Sequence, residues 1–146
     1  MNLSSHFTLD EFTTSQTAAR LGLDNTPPPE VMPALLKTAQ GMEAVCVRLG
    51  GAPISVSSGY RSPAVNKAVG GSANSQHTKG EAVDFICPRF GSPADVAAAL
   101  RGSGIEYDQL ILEFGRWVHI SFSDKPRHMA LEIDAKGTRP LFGGVA

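Results

Sequence analysis

Glycine and proline interrupt this chain so often that a single stretch is left to form a long helix. The sequence holds 15 Gly and 10 Pro among 146 residues, which points to many turns and short elements rather than a helix bundle. The exception runs from about Pro29 to Leu49. There Val31, Leu35, Leu36, Ala39, Met42, Val45, Cys46 and Leu49 recur at spacings of three and four, which makes one apolar stripe. Pro27 to Pro29 form an extended connector ahead of it, and Gly50-Gly51 ends it.

The remaining elements are short. Thr8 and Glu11 make a capping box for a helix start at Leu9. Ile54 to Ser58 alternates as a strand does, and Ala82 to Ile86 reads as a second strand. Ser92 and Pro93 open a helix that reaches about Arg101. Asp108 to Phe114 and Trp117 to Phe122 form a hairpin around Gly115-Arg116. Leu131 to Ile133 adds an edge strand, and the Gly-rich C-terminal tail is expected to be loose. This order predicts one α+β domain over residues 1–146, a small antiparallel sheet with flanking helices.

Composition narrows the function. Hydrophobic residues are 42% and charged residues 18% of the chain, enough to bury a core. The net charge is -1, from 13 Lys+Arg against 14 Asp+Glu, which argues against a nucleic-acid partner held by broad phosphate neutralisation. Met1 to His6 lacks the basic start and apolar run of a secretory signal, and no apolar stretch approaches the roughly 18 residues of a membrane span. A cytoplasmic protein as synthesised, without a membrane partner and monomeric, is the expectation. Cys46 and Cys87 are the only cysteines. They are read as a buried small hydrophobe and an isolated thiol rather than a disulfide framework.

Three residues at structured places carry the chemistry. His77 ends the Gly59–Gln76 loop, Asp84 lies inside a strand, and His119 lies on the second hairpin strand. A carboxylate between Val83 and Phe85 is costly to bury without a partner. Two histidines and one carboxylate with a fourth position open are a known arrangement for catalytic zinc, which lowers the pKa of a water and polarises a carbonyl. His6 and His128 read as surface histidines, and Tyr60 as a ring buried beside the first strand.

The words around these residues sharpen the reading. Ser58-Gly59-Tyr60-Arg61-Ser62, then Ser75-Gln76-His77-Thr78-Lys79-Gly80-Glu81-Ala82-Val83-Asp84, then Trp117-Val118-His119 resemble the M15 zinc peptidases. These are the D-Ala-D-Ala carboxypeptidases and related phage endolysins that cut peptidoglycan stem peptides. Every fixed position of the pattern S-x-H-x-x-G-x-A-x-D is matched. Phe7 to Phe12 and Gly22 to Pro27 are similar to the opening of the short, single-domain branch, so the resemblance spans about residues 7–123.

It implies a hedgehog/DD-peptidase-like fold, one zinc ion held by His77, Asp84 and His119, and a peptidoglycan peptide as substrate. Arg61 corresponds to the arginine that faces the substrate, where a guanidinium suits a developing oxyanion or a terminal carboxylate. Ser75 either donates to a substrate carboxylate or caps its loop, and Trp117 packs beside the metal or lines the groove. A signal-less chain of this kind fits a phage lysis enzyme that reaches the wall once the membrane is opened, or a tail-associated or wall-recycling enzyme.

The general base is the point of departure. The group places an acid three residues before the last histidine, and here that position is Arg116. The nearest upstream carboxylate is Glu113. A three-residue loop over 114–116 pairs Glu113 with Trp117 and puts it on the His119 face, whereas a two-residue turn sends it to the other face. Only the first lets Glu113 serve as base. Glu81 and Asp108 are the alternatives, and a zinc-binding module of the same fold without catalysis is the competing function.

Overall fold

Secondary structure begins where the caps put it. In the computed structural model, which describes residues 1–144, Thr8 and Glu11 form the expected capping box at the head of α1 (Leu9–Thr13). Ser15 caps α2 (Gln16–Leu21), which ends on Gly22 in the left-handed region. A 3-10 turn over Pro29–Val31 leads into α3 (Met32–Arg48). After β1 (Ser55–Ser58), Ser62 caps α4 (Pro63–Ala68). A second 3-10 turn, Gln76–Lys79, delivers the chain to β2 (Ala82–Ile86). Ser92 and Asp95 box the start of α5 (Pro93–Arg101). Then come β3 (Gln109–Glu113), β4 (Trp117–Ser121), β5 (Met129–Asp134) and β6 (Gly137–Pro140). Among the described residues no helix is long and apolar enough to cross a membrane.

The strands form one sheet in the order β1-β2-β4-β3-β5-β6. Alternate residues divide its two faces. Val83 and Phe85 of β2, Leu110 and Leu112 of β3, and Val118 and Ile120 of β4 pack into one core with α3 and α5. From α3 that core takes Leu35, Ala39, Met42 and Val45, and from α5 Val96, Ala97 and Leu100. Each of these Val, Leu, Ile, Phe and Met side chains contributes about 1.5–3 kcal/mol by leaving water, and the alanines less. The stripe is narrower than its spacing implied, because Leu36 is exposed and Cys46 only half-buried. The opposite strand residues, Asp84, Ile111, Glu113, Trp117 and His119 among them, are left for the other face, where they line a cleft.

Three expectations are corrected. The sheet is mixed rather than antiparallel, because β5 pairs in parallel with β3. Segment 122–128 leaves β4 and passes the start of β3, so β5 again runs in the direction of β3. Asp108 clamps this crossover: it accepts the backbone N–H of Arg127 through its carboxylate at 2.9 Å, and its carbonyl accepts the N–H of Met129 at 2.9 Å. Residues 131–133 are therefore no edge strand. β6 lies outside them, and through residue 144 the tail is built into the fold. Leu141 is fully buried in the core, and its carbonyl accepts from Arg101 Nη1 at 2.8 Å.

A buried leucine in a supposedly loose tail gives a direct test. Leu141→Ala should destabilise the protein by about 2–5 kcal/mol, read as a lower denaturation midpoint with the m-value kept. A change below about 0.5 kcal/mol would mean that the tail is not part of the core.

Candidate metal centre

Each ligand candidate is delivered by a different backbone device. Asp84 faces His119 directly in the β2–β4 register, so one ladder places both. His77 arrives on the Gln76–Lys79 turn, which ends at Gly80 with φ +74. A Cβ there would sit 2.8 Å from Val31 Cγ1 and 3.1 Å from Leu35 Cγ, so the turn needs glycine for its conformation and for its packing against the head of α3 and the turn before it. The Gly80 carbonyl accepts from the buried Thr38 hydroxyl of α3 at 2.7 Å.

The three side chains are buried and their ligating atoms all lie within 4.8 Å of one another. His119 Nδ1 is 2.9 Å and His77 Nε2 3.3 Å from the same oxygen, Asp84 Oδ1. His77 Nδ1 sits 2.7 Å from the Gly59 carbonyl. A carbonyl only accepts, so Nδ1 carries the proton, and in a neutral ring Nε2 then points a bare lone pair at a carboxylate. Two electron-rich atoms brought together in a buried place require a positive charge between them. A proton or a cation satisfies that need, and the N, N, O donor set is that of a catalytic zinc site. Burial opposes the charge on Asp84, but the contacts from His119 and His77 outweigh it and hold the carboxyl well below its ordinary range.

Arg61 reaches the same cluster from the loop after β1. Its Nη2 lies 3.6 Å from Asp84 Oδ2, its Nε donates to the Ser58 hydroxyl at 3.2 Å, and its Nη1 to Asn66 Oδ1 at 3.3 Å. Asn66 is buried and also donates to the Ser72 carbonyl at 2.8 Å. Asn25 holds the same loop from the other side, accepting from Ser62 N–H at 2.7 Å and donating to the Tyr60 carbonyl at 3.1 Å. The sequence reading singled out neither asparagine. These Asn25 partners lie 35 and 37 residues away, beyond any local spacing, whereas Asn66 bonds to Arg61 and Ser72 within its own loop.

The hairpin takes the odd loop. Glu113 pairs with Trp117 across residues 114–116, with Phe114 and Gly115 both at positive φ. Glu113 therefore shares the His119 face, with Oε1 3.9 Å from His119 Nδ1. Burial and the neighbouring Asp84 charge push its carboxyl above the usual value. Arg116 sits in the turn and is exposed. Glu81 and Asp108 are occupied elsewhere: Glu81 takes a 3.3 Å contact from Gln76, and Asp108 takes Gln76 and a bidentate Arg127.

Ser75 caps its turn by accepting the His77 N–H at 3.2 Å, and it lines the same cleft of about 900 Å3 as Arg61, Glu113 and Trp117. The Tyr60 ring is buried in the core as expected. His6 is exposed against Glu43, and His128 is exposed against Tyr107.

The Peptidase M15 family model matches residues 5–121, and the chain belongs to that family. No curated protein matches the chain.

The crossover carboxylate supplies the pH dependence. Hydrogen bonds from Arg127, against a smaller opposing effect of burial, push Asp108 down to about 2 from 3.8. Its folded value lies below its unfolded one, so its stabilisation is complete above about pH 4 and fades as pH falls towards 2. Unfolding midpoints measured from pH 6 to pH 2 should drop for the wild type. They should converge on those of Asp108→Asn, and a constant gap between the two proteins would contradict the assignment.

Proposed function

We propose that this chain is a zinc-dependent peptidase of the hedgehog/DD-peptidase fold that hydrolyses peptidoglycan stem peptides as a monomer. The observation that carries the reading is the pairing of a buried His77–Asp84–His119 cluster with Glu113 on the same sheet face, 3.9 Å from His119. Zinc held by those three residues would supply Lewis-acid activation of a water and of the scissile carbonyl.

The chain's own residues do the rest. Glu113 takes a proton from the attacking water at Oε1 and returns it to the leaving amine. Burial and the neighbouring Asp84 charge raise its proton affinity, which suits a group that accepts a proton and then gives it back. Arg61, braced by Ser58 and Asn66, keeps Nη2 towards the cluster, where it stabilises negative charge on the carbonyl oxygen. The Ser75 oxygen accepts the His77 N–H, so its own proton is available to a substrate carboxylate. Trp117 forms a wall of the cleft. The cut is of the D-Ala-D-Ala carboxypeptidase or the endolysin type, according to the stem bond that the cleft accepts.

One observation favours a second reading, a metal-holding module without catalysis: Arg116 occupies the position where related enzymes carry an acid. The two readings separate on one variant. Glu113→Gln should keep about one zinc per chain by elemental analysis and lose roughly 10²- to 10⁴-fold in kcat on defined muropeptides. His77→Ala should lose both metal and turnover. A wild-type protein that holds zinc yet leaves every muropeptide uncut by mass spectrometry would support the module instead.

A further inference from the structure

Arg61 is not the only arginine on the cleft. Arg127 lines it too, from the segment that crosses between β4 and β5. Asp108 takes its backbone N–H at 2.9 Å, its Nε at 2.9 Å and its Nη2 at 2.7 Å. Gln76 Nε2 adds a fourth contact to the same carboxylate at 2.9 Å. Asp108 is almost completely buried, so its orientation is fixed, and it fixes the guanidinium in turn. Clamping the crossover uses only the Nε–Nη2 edge. Nη1 makes no hydrogen bond among the described residues, and the side chain is 53% exposed. The Nη1–Nη2 edge thus remains as a second, preoriented fork.

Its distance from the chemistry follows from the sheet. His119 pairs with Ile111, while Asp108 immediately precedes Gln109, the first residue of that strand. Three residues at about 3.3 Å each put the Arg127 anchor roughly 10 Å along β3 from the metal centre. An extended peptide covers that span in about three residues.

We propose that Arg127 is a specificity-determining residue whose free guanidinium edge binds a carboxylate of the substrate peptide about three residues from the cut bond. The proposal rests on the peptidase reading above. Asp108 acts on substrate only through Arg127 and is a positioning residue. The two arginines then divide their work, Arg61 acting at the reacting carbonyl and Arg127 selecting for a free acid further along.

The test is a cycle between protein and ligand. Synthetic stem pentapeptides, with each carboxylate in turn converted to carboxamide, are titrated calorimetrically into the zinc-loaded Glu113→Gln chain, with Arg127 intact and with Arg127→Gln. One carboxamide should weaken binding about tenfold or more when Arg127 is present, and by less than twofold after Arg127→Gln. Arg127→Lys, which keeps the charge without the fork, should fall between them and serves if the glutamine variant does not fold. A lower Tm in Arg127→Gln would report the clamp on Asp108 and cannot by itself produce carboxylate selectivity. An undiminished carboxamide penalty in the Arg127 variants, with wild-type turnover intact, would overturn this proposal alone. Absence of both binding and cleavage of stem peptides by the wild type would overturn the peptidase reading and this proposal with it.

Discussion

A carboxylate sealed into the middle of a sheet sets the terms for everything around it. Asp84 lies between Val83 and Phe85, both packed fully into the core, so it cannot move towards water without tearing a central strand. Burial of an unpaired charge there costs several kcal/mol, and the surrounding chain answers that cost from three directions. β4 sets His119 opposite it, the turn before β2 brings His77 to the same oxygen, and the loop after β1 brings Arg61 to the other oxygen. The irregular backbone of this region has its purpose in that convergence. Gly59 offers its carbonyl to His77 Nδ1 and packs so closely on the Phe12 backbone that no side chain fits. Gly80 turns the chain where Val31 and Leu35 leave no room for a Cβ.

Much of the centre was legible in the sequence because it depends on short spacings. Asp84 follows His77 by seven positions, within a pattern whose glycine ends the intervening turn in the left-handed region. Strand periodicity is equally local. Once the loop over 114–116 has three residues, alternation alone puts Glu113 and His119 on one face. An acid six positions ahead of the histidine thus reaches the face that carries His119. Arg116, three positions ahead, sits exposed in the turn.

What the sequence hid depends on contacts between distant segments. The direction of β5 is decided by a crossover that Asp108 and residues 127–129 hold together, and nothing in the local pattern of either segment shows the other. The same pairing removes Asp108 from the candidates for general base, since its oxygens are saturated by Arg127 and Gln76. A Gly-rich ending looks mobile until one leucine, Leu141, finds a space in the core. Asn25 braces the loop that carries Arg61 from a segment 37 residues away. Leu36 shows the opposite error, in which an apolar residue at the right spacing lies just off the stripe and faces solvent.

The rationing of helix in this chain has a structural consequence for the site. One long helix and one shorter one, α3 and α5, cover a single face of the sheet, and the turns that glycine and proline impose keep further helices from covering the second. The uncovered face is therefore free to carry polar side chains at alternate positions of four adjacent strands, β2, β4, β3 and β5. Asp84, His119 and Glu113 stand on those strands and inherit the rigidity of a sheet whose other side is a packed core. His77 and Arg61 come instead from loops, and each is tied down by a side-chain bond to a backbone carbonyl or to a buried amide. Charge placement in the cleft thus follows two rules: strand register fixes the acid groups, and loop anchoring fixes Arg61 and Arg127. A near-neutral chain can in this way present a strongly polar, directional site without a basic surface.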